Sequence, residues 1–191
     1  SSPSQSSALR ANGVPPLDQL FPFPLDGFQL EAIDALNQGQ SVVVSAPTGS
    51  GKTLVGEYAI HRALAHGQKV FYTTPLKALS NQKLRDFREQ FGADNVGLLT
   101  GDLSLNREAR IVVMTTEIFR NMLYAEIDHP DNDPLADVEA VVLDECHYMN
   151  DSQRGTVWEE SIIHCPPAVQ LVALSATVAN AGQLTDWIER V

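Results

Sequence analysis

Two rhythms of apolar residues run along the chain. From Asp26 to Asn37 they recur at helical spacing, with Phe28, Ile33 and Leu36 on the inward face, Asp26 as a cap and Gly39 as a stop. Beyond it, short apolar runs rich in β-branched residues, at 41–45, 69–73, 96–99, 111–114, 140–143 and 171–174, alternate with segments of helical period. Those segments fall at 53–65, 77–91, 118–125, 156–164 and 182–191, with Gly67 and Gly92 marking two ends. Runs such as Val42-Val43-Val44 have no polar face, as expected of strands covered on both sides. The alternation predicts an α/β fold: a doubly wound, mainly parallel sheet with helices on both faces. Two stretches lie outside this pattern. Residues 1–20 hold five Ser and three Pro with no period, which predicts a flexible N-terminal arm ahead of one domain over 21–191. Residues 126–139 carry six acids and two Pro without Lys or Arg, which predicts a solvated loop.

Composition narrows the class. The 191 residues include 13 Lys plus Arg against 24 Asp plus Glu, a net charge of −11. That acidity excludes a protein held on nucleic acid by bulk positive charge, while a local patch stays open, since residues 69–88 hold five of the basic side chains. No apolar run approaches the ~18 residues of a membrane helix, and no charged-then-apolar leader precedes the domain, so an intracellular, cytoplasmic setting without a membrane partner is expected. The cysteines, Cys146 and Cys165, form no CxxC pair and give neither a disulfide framework nor a zinc site.

Two motifs carry chemistry. The first, Ala46-Pro47-Thr48-Gly49-Ser50-Gly51-Lys52-Thr53, sits between a buried run and a helix. Its glycines let backbone N–H groups turn around an anion, the helix start adds a positive dipole end, Lys52 reaches outer phosphates and the Thr53 hydroxyl can ligate Mg²⁺. Ala46 stands where such loops usually begin with Gly. The second is Asp144-Glu145-Cys146-His147, closing the run Val141-Val142-Leu143. Open parallel sheets bind ligands at strand carboxyl ends, where Asp144 can hold Mg²⁺ through water and Glu145 can polarise an attacking water.

With these two motifs in this order, the chain resembles the amino-terminal RecA-like domain of a DExH-box helicase of superfamily two, in its Ski-like RNA helicase branch. The likeness extends over residues 21–191 and includes Thr74-Pro75-Leu76-Lys77, Thr100-Gly101-Asp102, Thr115-Thr116-Glu117, Arg154-Gly155 and Ser175-Ala176-Thr177. It implies an ATP-binding P-loop motor that couples ATP hydrolysis, with Mg²⁺, to translocation on or unwinding of RNA. Lys52, Asp144 and Glu145 would be its catalytic residues. Phe23 and Gln29 match the aromatic and Gln that hold adenine in such helicases, and Gln29 both donates and accepts as the adenine edge requires. Core packing competes for Phe23, with Phe21 the other packing residue. Pro75, Lys77, Gly101, Thr115, Thr116 and Glu117 match the motifs that bind one strand of nucleic acid by its backbone. Taken singly, either Thr is also a helix cap, and Lys83, Arg85 and Arg88 read as a solvated helix face. His147, Ser175 and Thr177 would couple nucleotide state to strand binding.

The same resemblance implies a second RecA-like domain as a partner in the intact protein. The chain has no Gly-Arg dipeptide, so that domain's arginine-rich motif is expected elsewhere, and the fragment alone is expected not to unwind duplex. A DNA helicase of the same superfamily shares the backbone contacts and remains an alternative. A non-helicase P-loop ATPase shares the loop and carboxylates without reason for the Thr-Pro-Leu-Lys and Thr-Thr-Glu runs.

Overall fold

A computed structural model describes residues 13–47, 49, 51–128, 134–146, 168–176 and 187–190. Its strands are β1 Val42–Ser45, β2 Lys69–Thr74, β3 Val96–Leu99, β4 Ser104–Leu105, β5 Ile111–Thr115, β6 Val138–Leu143, β7 Gln170–Ser175 and β8 Trp187–Arg190. The helices are α1 Leu17–Leu20, α2 Gly27–Asn37, α3 Thr53–Ala65, α4 Lys77–Phe91 and α5 Thr116–Asp128. One eight-stranded sheet has the order β4-β3-β5-β2-β6-β7-β1-β8. Its central strands pair in parallel, and β4 and β8 close the edges antiparallel.

The strands lack a polar face because both faces are covered. Val70, Tyr72, Val142 and Leu174 join one core with Ile33, Leu54 and Phe87 from α2, α3 and α4. Their chain neighbours Phe71, Val141, Leu143 and Ala173 join a second core with Phe119 and Leu123 of α5. Helix α2 starts in a capping box, in which Gln29 Oε1 accepts the Asp26 N–H at 2.8 Å. Gln170, buried in β7, donates to the Leu36 and Gln40 carbonyls and accepts from Arg62 at 2.6 Å, fastening α2 and α3 to the sheet.

Three expectations change. Residues 13–20 are not an arm: Val14 is buried, and Leu17 and Leu20 pack against the first core. Instead of a helix over 182–191, residues Trp187–Arg190 form β8, paired with β1. Helix α5 runs on to Asp128 and β6 begins at Val138, which shortens the acidic loop at both ends. The helix expected at 156–164 lies outside the described residues, as do residues 1–12.

His61 of α3 is wedged between Phe21 at 6.0 Å and Phe91 at 5.0 Å, ring centre to ring centre. Its buried Nε2 has no hydrogen-bond partner among the described residues, and burial lowers the imidazole pKa below 6.5. The unfolded chain therefore takes up this proton at higher pH than the fold, and the stability the neutral ring contributes is lost as pH falls from 6.5 through the lower folded value. Urea midpoints measured at about pH 7.5 and about pH 5.5 are expected to differ less in His61→Phe than in the parent chain.

Candidate nucleotide and nucleic-acid site

Every parallel strand ends on the same sheet edge, so the loops that follow them line one rim. The strand order divides that rim. On one half, β1 leads to the glycine loop, β6 to Asp144-Glu145 and β7 to Ser175. On the other half, β2 leads to Pro75 and Lys77, β3 to Gly101 and β5 to Thr115-Thr116-Glu117. The halves meet where β2 pairs with β6, with Thr73 opposite Leu143.

Pro47 and Gly51 are half-buried, Gly49 is exposed, and Thr53 opens α3; Thr48 and Ser50 lie outside the described residues. Gly49 and Gly51 have φ of +85° and +87°, the left-handed region that glycine enters at least cost. Lys52 is buried, and no salt bridge to it occurs among the described residues. A buried ammonium beside two left-handed glycines at a helix start suits a polyphosphate. Gln29 fastens the loop from below: it is buried and its Nε2 donates to the Gly51 carbonyl at 2.9 Å. Each end of this carboxamide keeps one further hydrogen-bonding position. Phe23 is 53% exposed whereas Phe21 is buried, so the packing role falls to Phe21 and the Phe23 ring faces solvent.

Asp144 is 2% exposed at the end of β6, and its N–H donates to the Thr73 carbonyl at 2.9 Å. Its Oδ1 accepts the Glu145 N–H at 2.8 Å, and its Oδ2 accepts the Tyr72 hydroxyl at 2.5 Å, with Lys83 Nζ at 3.9 Å. Burial first, then the Asp144 charge, holds the Tyr72 pKa well above 10, which keeps the hydroxyl a donor. Glu145 is half-buried at φ +54°, in the turn that follows β6. Thr53 and Asp144 offer hard oxygens, and no group of three or more His, Cys, Asp or Glu able to hold a metal occurs among the described residues. That donor set fits Mg²⁺, which takes one or two protein oxygens and completes its shell from phosphates and water.

Cys146 and Ser175 bond through their side chains, joining the ends of β6 and β7; burial pushes the thiol to about 11. The sequence singled out Ser175 but not this partner. His147 and Thr177 lie outside the described residues.

On the other half, Lys77 is exposed and pairs with exposed Asp102, whose pKa is lowered by hydrogen bonds from Lys77 and Thr100. Pro75 is half-buried, and Gly101 and Glu117 are exposed. Thr116 is buried with its Oγ1 unpartnered among the described residues, while Thr115 closes β5 half-buried. Lys83 does not share the solvated face of Arg85: its side chain is 23% exposed and turns inward to Asp144.

The sequence profile of the DEAD/DEAH box helicase family matches residues 26–184. The chain is 55% identical over 191 residues to the DExH-box ATP-dependent RNA helicase DExH15, chloroplastic, of Arabidopsis thaliana, covering 97% of this chain and 16% of that protein. It is 50% identical over 177 residues to the antiviral helicase SKI2 of Saccharomyces cerevisiae, covering 93% and 13%. The chain thus spans less than a fifth of the length of these relatives. The structure of the Mycobacterium smegmatis helicase Lhr bound to ssDNA and AMP-PNP superposes with a TM-score of 0.63 at 27% identity, covering 91% of this chain and 25% of that one. The UvsW helicase of bacteriophage T4 shares the fold at a TM-score of 0.58 and 18% identity, covering 80% of this chain and 52% of that one.

Proposed function

The chain belongs to the DEAD/DEAH box helicase family, and on that premise we propose that it is the ATP-binding first motor domain of an ATP-dependent RNA helicase. The observation that carries the reading is the divided rim, with the nucleotide motifs and strand-binding junctions on separate halves that touch at β2 and β6.

In this reading Phe23 stacks on adenine and Gln29 recognises its edge while holding the loop. Backbone groups of residues 47–53 cradle the phosphates, and Lys52 neutralises them. Thr53 and, through water, Asp144 would hold Mg²⁺, which would supply charge neutralisation when bound. Glu145 orients and deprotonates the attacking water. Pro75, Lys77, Gly101, Thr115, Thr116 and Glu117 take the sugar-phosphate backbone of a single strand, for which backbone N–H groups, hydroxyls and one Lys suffice. Ser175, with His147 and Thr177, relays nucleotide state, and a second RecA-like domain in the intact protein completes both sites. Among the described residues no helix is long and apolar enough to cross a membrane.

RNA is favoured over DNA because the Arabidopsis relative that matches 97% of this chain is an RNA helicase. The DNA reading keeps one observation in its support, the ssDNA on the Lhr helicase. The test is ATP hydrolysis by the intact protein with single-stranded RNA or DNA of matched sequence at one salt concentration, with Glu145→Gln as the blank. Stimulation by RNA is expected. Stimulation by DNA alone moves the protein to the DNA branch, and a rate above the blank that neither strand alters overturns the helicase reading.

A further inference from the structure

We propose that Tyr72 and Lys83 are positioning residues for the Asp144 carboxylate, and that through them α4 couples the strand-binding junction at Lys77 to the nucleotide site. The proposal rests on the roles assigned above to Asp144 and Lys77.

Both Asp144 oxygens are held by this chain. Oδ1 receives the Glu145 N–H at 2.8 Å, and Oδ2 receives the Tyr72 hydroxyl at 2.5 Å with Lys83 Nζ at 3.9 Å behind it. A carboxylate 2% exposed needs such partners, because an uncompensated buried charge is costly. Tyr72 is itself fully buried, with its ring edge-on to Phe87 at 4.9 Å. Lys83 Nζ lies 5.6 Å from the Tyr72 ring centre and 5.8 Å from that of Phe87, and the Glu57 carboxylate of α3 adds a second attraction. Lys83 and Phe87, four residues apart, thus present one face of α4 to Tyr72.

The same helix begins at the rim. Thr74 Oγ1 bonds Ser80 Oγ at 2.7 Å and donates to the Leu76 carbonyl at 2.9 Å, while the Ser80 N–H bonds that carbonyl at 3.1 Å. These bonds pin the first turn of α4 to the end of β2, so Lys77 and Lys83 move as one body about 9 Å long. Lys77 is paired with Asp102. A backbone phosphate that takes Lys77 from Asp102 shifts the first turn of α4 together with the end of β2 to which it is bonded, and the shift reaches Asp144 through Lys83 and Tyr72 without crossing a flexible loop.

The test uses the intact protein. Affinity for a fluorescent single-stranded RNA is measured with and without a non-hydrolysable ATP analogue and Mg²⁺, in the parent, Lys83→Met, Tyr72→Phe and Lys83→Arg, with thermal midpoints recorded alongside. In the parent, nucleotide is expected to change RNA affinity about tenfold, a coupling of ordinary size. Tyr72→Phe and Lys83→Met are expected to bring that ratio within about twofold of unity while analogue affinity stays within about threefold, and Lys83→Arg to restore it. If the parent shows the ratio and both variants keep it, this proposal is overturned and the helicase reading stands, whether or not midpoints fall. A parent ratio of one overturns the RNA helicase reading and this coupling together. Should Lys83→Met fail to fold, Tyr72→Phe decides, since it keeps the ring and removes one oxygen.

Discussion

Glu145→Gln in the intact protein is expected to bind ATP as the parent does and to lose turnover by about 10²–10⁴-fold, the usual contribution of a positioned general base. The carboxamide keeps the size and reach of the side chain but cannot accept a proton from water. Binding is preserved because the loop, Lys52 and the Gln29 fastening lie on other elements. The backbone is preserved as well, since the φ of +54° at residue 145 burdens Gln as it does Glu. Single-turnover phosphate release beside titration of a fluorescent ATP analogue separates the two quantities. Turnover within a fewfold of the parent removes Glu145 from the chemistry. Loss of binding and turnover together makes it a structural residue of the strand end.

Glu145 and its neighbours show how far the sequence carries. The parallel strands are legible because β2, β3, β5, β6 and β7 are buried on both faces and β1, half-buried at Val43, still packs on both cores, so apolar runs without alternation mark them and place the motif residues at their carboxyl ends. Strand β8 was not, because Trp187–Arg190 gains its strand character from pairing with β1, a tertiary cause that overrides local pattern. Val14 and Leu17 carry no such signal, because burial of scattered apolar residues in a Ser- and Pro-rich stretch leaves no period. Within the site, loop and carboxylates were visible as contiguous motifs. Their supports were not: Tyr72 lies 72 residues from Asp144, Asp102 25 from Lys77 and Gln29 22 from Gly51. The inward turn of Lys83 is hidden for the same reason, since a Lys on an otherwise polar helix face reads as solvated until a partner from another strand is brought beneath it.

The Gln29 fastening makes Gly51 the most sensitive glycine of the loop. A Cβ at Gly51 would lie 2.6 Å from Gln29 Nε2, whereas one at Gly49 meets nothing within 4 Å. Both positions have left-handed φ, so each Ala carries a backbone cost of about 1–2 kcal/mol. The end of a Gln side chain would ordinarily swing aside. This one is buried and tied at both ends, to the Gly51 carbonyl and to the Asp26 N–H, so moving it breaks two hydrogen bonds of about 1 kcal/mol each. The sum for Gly51→Ala is about 3–4 kcal/mol, or about 10²–10³-fold in ATP affinity, against about tenfold for Gly49→Ala. Titration of both variants with a fluorescent ATP analogue checks the difference. Adding Gln29→Ala to Gly51→Ala relieves the clash, so the double variant is expected to lose less affinity than the two single losses combined. Simple additivity would show that the backbone conformation alone, and not the contact with Gln29, requires glycine at position 51.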